Sequence, residues 1–111
     1  MLAALYNSFS DQAGMSQFSF ANNDQHTQII EAIARRFNVA LPTYILDPIP
    51  ANAPSNWLYT HQAVHNDMNG VLGIAGNDLS DVDFTDPQQV ASWVWLHAQE
   101  HYQAAQILGI G

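Results

Sequence analysis

Three stretches of the chain place apolar residues at three- and four-residue steps, the period of a helix with one face turned to a core. The first, 23–37, carries His26, Ile29, Ile30, Ile33 and Phe37, with Asn22 or Asn23 positioned to cap its start. The second, 56–72, opens behind Ser55 as a cap and closes at Gly73, with Gly70 weakening its last turn. The third, 87–108, opens on Thr85-Asp86-Pro87-Gln88 and stops at Gly109. Either a capping box from Thr85 or an Asp86 cap with Pro87 in the first helical position starts it. Between the first two stretches Pro42, Pro48, Pro50 and Pro54 deny a helix, so an extended strap is expected, with Leu41, Tyr44, Ile45 and Ile49 available to lie over the helices. The first twenty residues show no clean period, although Phe18 and Phe20 are both expected to be buried. The pattern predicts a mainly α fold: a small bundle of about three main helices with a Pro-rich strap, one domain over residues 1–111.

The second and third stretches repeat each other. At an offset of 36, Trp57, His61, His65 and Val71-Leu72-Gly73-Ile74 align with Trp93, His97, His101 and Ile107-Leu108-Gly109-Ile110. Phe18, Asn22, His26 and Ile33 form a weaker echo in the first helix. The histidines fall on the apolar stripes: Leu58, His61, His65, Met68 and Leu72 step by three and four, as do Val90, Val94, His97, His101, Ala104 and Leu108. Each pair is spaced i, i+4, so its rings leave one helix face about 5–6 Å apart at Cβ. A linking loop of about a dozen residues suggests an antiparallel pair of helices, which would bring His65 to His97 and His61 to His101, with His26 joining from the first helix. Four converging imidazoles are a ligand set for a transition metal such as zinc or iron. Glu100 and Asp67 adjoin the pairs, as hydrogen-bond acceptors for the ligand rings or, with a turn of the helix, as ligands. The competing reading is a buried network in which histidines satisfy each other and backbone carbonyls, with Trp57, Trp93, Trp95 and Tyr102 as core packing.

Charge narrows the choice of partners. Ten acidic residues stand against Arg35 and Arg36, there is no Lys, and the net charge is −8. No basic stripe exists to neutralise phosphates, so neither nucleic acid nor an anionic membrane is an expected partner. Nineteen Asn and Gln supply polarity without charge, a composition typical of protein contacts. The absence of Cys excludes thiolate metal sites and thiol nucleophiles. Met1-Leu-Ala-Ala-Leu lacks a basic start and is too short for a signal peptide or a membrane span, so the protein is expected to begin near Met1. Asp78, Asp81, Asp83 and Asp86 do not follow the spacing of a calcium loop and read better as caps and turns. No phosphate loop, nucleophile elbow or dinucleotide fingerprint is present.

Trp57, His61, His65-Asn-Asp-Met, Leu72-Gly73, Gly76-Asn-Asp-Leu, Val82-Asp-Phe, Asp86-Pro-Gln, Trp93, Leu96-His97, Glu100-His101 and Leu108-Gly-Ile, together with Phe18-Ser-Phe and Ile29-Ile30-Glu-Ala-Ile33, resemble a group of short tailed-bacteriophage proteins encoded among virion structural genes. The likeness runs over nearly the whole chain. It implies a non-enzymatic structural or assembly component of the virion, associated with capsid, neck or tail. On that reading it is assembled in the host cytoplasm and contacts other virion proteins or copies of itself in a symmetric array. Members of the group are richer in histidine just before the first helix, where this chain has Ala21-Asn22-Asn23. The alternative from a different class is a metal-dependent hydrolytic or redox enzyme ligated by His61, His65, His97 and His101, which requires an open coordination position.

Overall fold

A computed structural model describes residues 5–42, 46, 48–50 and 55–110, and within these three helices carry the fold: α1 (Gln12–Phe37), α2 (Ser55–Leu72) and α3 (Pro87–Leu108). The mainly α bundle expected from the periodicity is present. Helix α3 starts on the Asp86 cap, whose side chain accepts from the Gln88 backbone N–H with Pro87 in the first turn, and it ends at Gly109 with φ 69°. Helix α1 departs from expectation by beginning at Gln12, where Asp11 is the cap and accepts from the Gly14 N–H at 2.8 Å. Gly14 is required there, because a Cβ would fall 2.8 Å from Phe9 Cβ as the preceding segment packs over the first turn. Asn22 and Asn23 therefore lie inside a helix and cap nothing. Phe18 is buried while Phe20 is 79% exposed, which corrects the expectation that both are buried. Two residues apart on a helix cannot face the same core.

The helices run parallel. Pairs of constant offset meet along the bundle: Trp57 with Trp93 at 6.3 Å between ring centroids, His61 with His97, and His65 with His101, each 36 residues apart. Phe18 meets Trp93, and His26 meets His101, both 75 apart. This overturns the expected antiparallel pair. The connections are long enough to return: residues 73–86, if extended, reach about 45 Å, against about 27 Å for the length of α2. That loop doubles back, with Asn77 beside Glu100, the Leu79 N–H on Gln62 and the Leu79 carbonyl accepting from Trp93 Nε1 at 2.8 Å, and Phe84 stacked on Phe9. The strap also returns, along α1. Leu46 exchanges two hydrogen bonds with the Asn23 side chain, and Ile49 donates its N–H to Ser19 Oγ and accepts from Gln12 Nε2. Leu41 packs against the core and Ile49 is fully buried, as expected, whereas Tyr44, Ile45 and Pro54 lie outside the described residues.

Two apolar clusters fill the bundle. One, at the end where the helices start, gathers Leu5, Phe9, Phe18, Ile49, Trp57, Leu79, Val90 and Trp93; the other gathers Ile29, Ile33, Val64, Met68, Leu72, Ala104 and Leu108 toward the opposite end. The histidines occupy the space between the two.

Candidate metal centre

Parallel register turns the sequence repeat into layers across the bundle axis. The first layer is aromatic, built from Phe18, Trp57 and Trp93. One helical turn on, Asn22, His61 and His97 form a second layer, with His61 Nε2 3.0 Å from His97 Nε2 and 3.4 Å from Asn22 Oδ1. Another turn on, His26, His65 and His101 form a third. Their Nε2 atoms close a triangle with sides of 3.0, 3.0 and 3.2 Å. Each helix contributes one i, i+4 pair to these layers, so the echo in α1 is a true third copy of the repeat. One ligand atom from each of His26, His65, His97 and His101 lies within 4.8 Å of all the others, and this buried group can hold a metal ion. His61, expected in the ligand set, sits beside it in the second layer.

Hydrogen bonding alone serves the third layer poorly. A neutral imidazole has one N–H, which points outward in the ring plane and can serve one neighbour at a time. Whatever the tautomers, at least one side of the triangle sets two protons or two lone pairs against each other, and if all three Nε2 atoms are alike every side does. A cation at the centre removes the conflict. The surroundings keep four of the rings neutral: burial lowers the pKa of His26, His61, His97 and His101 well below the ordinary value, and the neighbouring histidines lower them further. Neutral imidazole is the form that ligates metal.

Glu100 orients the group. Burial raises its pKa, but hydrogen bonds from His65 Nδ1 at 3.2 Å, Asn69 Nδ2 at 2.7 Å and the Asn77 N–H at 2.9 Å outweigh burial and bring it to about 2. The carboxylate therefore fixes the proton of His65 on Nδ1 and frees Nε2 as a lone pair aimed at the triangle, the arrangement that supports metal-bound histidines. Gly76 leaves room for this contact: a Cβ there would overlap the Asn69 amide and lie 3.2 Å from Glu100 Oε1. Nδ1 of His26, His61, His97 and His101 is buried without a partner among the described residues.

The site is enclosed. All five histidines are at most 1% exposed, and the five clefts described on the surface, lined by residues such as Asp78, Val82, Gln89 and Leu96, include none of them. Asp67 is exposed and takes no part, while Asn69, two residues further along the same helix, does. Trp95 and Tyr102 face outward, correcting their assignment to the core. Asp78 and Asp83 accept from Ser80 and Thr85 in tight turns, and Asp86 is a helix cap, as expected of the acidic loop. Periodicity missed Asn22 because it is polar at a position read as a helix start; the repeat, which aligns it with His61 and His97, contained the signal. No family model, curated protein or solved structure matches the chain.

Proposed function

We propose that the protein is a non-enzymatic structural component whose bundle is locked by one transition-metal ion, zinc or iron, held by His26, His65, His97 and His101. Complete enclosure is the observation that carries this reading. Structural metal sites are filled by protein ligands, whereas catalytic sites keep a position open to substrate and solvent. Ligand-pair spacing, the neutral state of the rings and the Glu100 contact all favour metal over a bare histidine network. Structural zinc in small domains contributes about 10–16 kcal/mol of apparent binding free energy, far more than the roughly 1–3 kcal/mol lost at each unsatisfied buried polar atom.

The setting we propose is the virion of a tailed phage, in contact with other virion proteins or further copies of the chain. Support comes from the resemblance over residues 18–110, the lysine-free, amide-rich composition, and outward-facing aromatics such as Phe20, Tyr59 and Trp95. The deciding experiment is native mass spectrometry with elemental analysis of the protein purified without added chelator or metal. One metal ion per chain, whose removal lowers the melting temperature, is the expected result. A metal-free chain indifferent to added zinc or iron would leave only a hydrogen-bonded network. Proteomics of purified particles tests the setting, and absence of the chain from them would exclude it.

A further inference from the structure

The chain's two arginines sit together at one end of the bundle. Arg35 and Arg36 close α1, and both are exposed. Arg36 Nη1 donates to the Ile107 carbonyl at 2.8 Å, and its guanidinium lies 5.8 Å from the Phe37 ring centroid. Phe37 and Ile107 are themselves partly exposed, so two cations and two apolar side chains share one corner whose geometry is already fixed. Among the described residues neither arginine enters an ion pair, and Glu31, one turn before Arg35, leaves it unengaged.

A complementary groove lies toward the other end, between the returning loop and the first half of α3. Val82, Trp93 and Leu96 line it with apolar surface, and Asp78, Asp81 and Asp86 line it with charge. Asp78 accepts from Ser80 and Asp86 caps α3, whereas Asp81 is exposed and enters no ion pair among the described residues. Three carboxylates outweigh the roughly half positive charge at the start of α3. Corner and groove cannot meet within one copy. Phe18 packs on Trp93, level with the groove, and Arg35 lies about 26 Å further along α1 at the helical rise per residue.

Between copies they can meet, and charge selects that pairing. Each copy carries a net charge of −8. A symmetric contact would set groove carboxylates against groove carboxylates or arginines against arginines, whereas corner against groove sets opposite charges together. Independently of the metal and of the virion setting, we infer that the Arg35–Arg36–Phe37 corner of one copy docks in the α3 groove of the next, joining copies head to tail. Exposed ion pairs contribute little by themselves, so the apolar side chains hold the contact and the charges fix its register. Such a heterologous contact closes a ring or extends a filament.

Sedimentation velocity of the full chain at rising concentration is the test, with Arg35→Asp and Asp81→Arg as variants. Both positions are exposed, and neither caps a helix. The wild type is expected to grow beyond two copies as concentration rises. Each variant alone is expected to associate about tenfold or more weakly, because every copy lacks one half of the contact. An equimolar mixture of the two is expected to recover binding but to stop at two copies. Only the intact corner of Asp81→Arg and the intact groove of Arg35→Asp can pair, and damage to the fold does not produce such a recovery. A wild-type chain that stays monomeric would overturn the inference, as would a wild-type species that stops at two copies. Association undiminished in both variants, or a mixture that recovers nothing, would overturn it too. A monomeric chain whose groove binds a lysine-rich peptide carrying one phenylalanine would give that groove to a foreign cationic segment instead.

Discussion

Neutral imidazole is the form that the core enforces on His26, His61, His97 and His101, since burial and mutual repulsion both lower their pKa values. In the unfolded chain the same groups take up protons near the ordinary value of about 6.5. Their contribution is therefore fully present above that pH, and it is lost as pH falls and the unfolded state binds more protons. Urea denaturation of the metal-free chain should show the midpoint dropping between pH 7.5 and 5; an unchanged midpoint would contradict buried neutral rings. Glu100 acts in a lower window. Its pKa, brought to about 2, gives stability present above the ordinary carboxylate value and lost only as pH falls toward 2. Glu100→Gln keeps an acceptor for Asn69 but removes the charge that holds the His65 proton on Nδ1. Metal affinity in that variant is expected to fall by about 10–100-fold in a competition titration. An affinity within twofold of the wild type would deny Glu100 its positioning role.

At the scale of elements, the parallel arrangement carries the fold, and it is directly measurable. Spin labels at Tyr59 and Trp95, both exposed and 36 residues apart, should lie closer together than labels at Tyr59 and Gln103, and the reverse order would restore the antiparallel pair. The returning loop has its own anchor, because Trp93 Nε1 donates to the Leu79 carbonyl within the core. Trp93→Phe leaves that carbonyl unpaired and should cost about 1–3 kcal/mol in equilibrium unfolding, part of it from lost packing. The sequence made much of this legible. The stripes through Leu58–Leu72 and Val90–Leu108 are buried as their spacing predicts, and every histidine lies on the inward face. Direction was the missing quantity, since a loop of about a dozen residues fits an antiparallel turn and a return crossing alike. Equivalence of Trp57 with Trp93 favoured the crossing, because two copies of one motif share an environment only when they run the same way. The first half of α1 was illegible for another reason. Ser19, Asn22 and Gln25 are buried polar residues on its inward face, two of them engaged by the strap and by the histidine layers, and they erase the apolar period.

The molecule as a whole measures 40 × 23 × 23 Å, and α1, at about 39 Å for its 26 residues, runs its full length. The like ends of the three helices are gathered together, so their dipoles add instead of cancelling and leave partial negative charge concentrated at the carbonyl end. Arg36 relieves the carbonyl end by donating from Nη1 to the Ile107 carbonyl at 2.8 Å. Arg36→Ala should destabilise modestly, by about 0.5–1.5 kcal/mol in denaturant titration, with the effect shrinking in high salt. The layered centre has a further consequence for time rather than for equilibrium. An ion there ties together three points of the chain, at His26, His65 and His101, 39 and 36 residues apart. By the chain-entropy estimate for cross-links, closing each such loop takes about 4 kcal/mol of freedom from the unfolded ensemble. Because the ligands are at most 1% exposed and none of the described clefts reaches them, a chelator should meet the ion only after the bundle has opened. Metal loss should then proceed at one fixed rate however much chelator is added, and that rate would be the protein's own clock for opening.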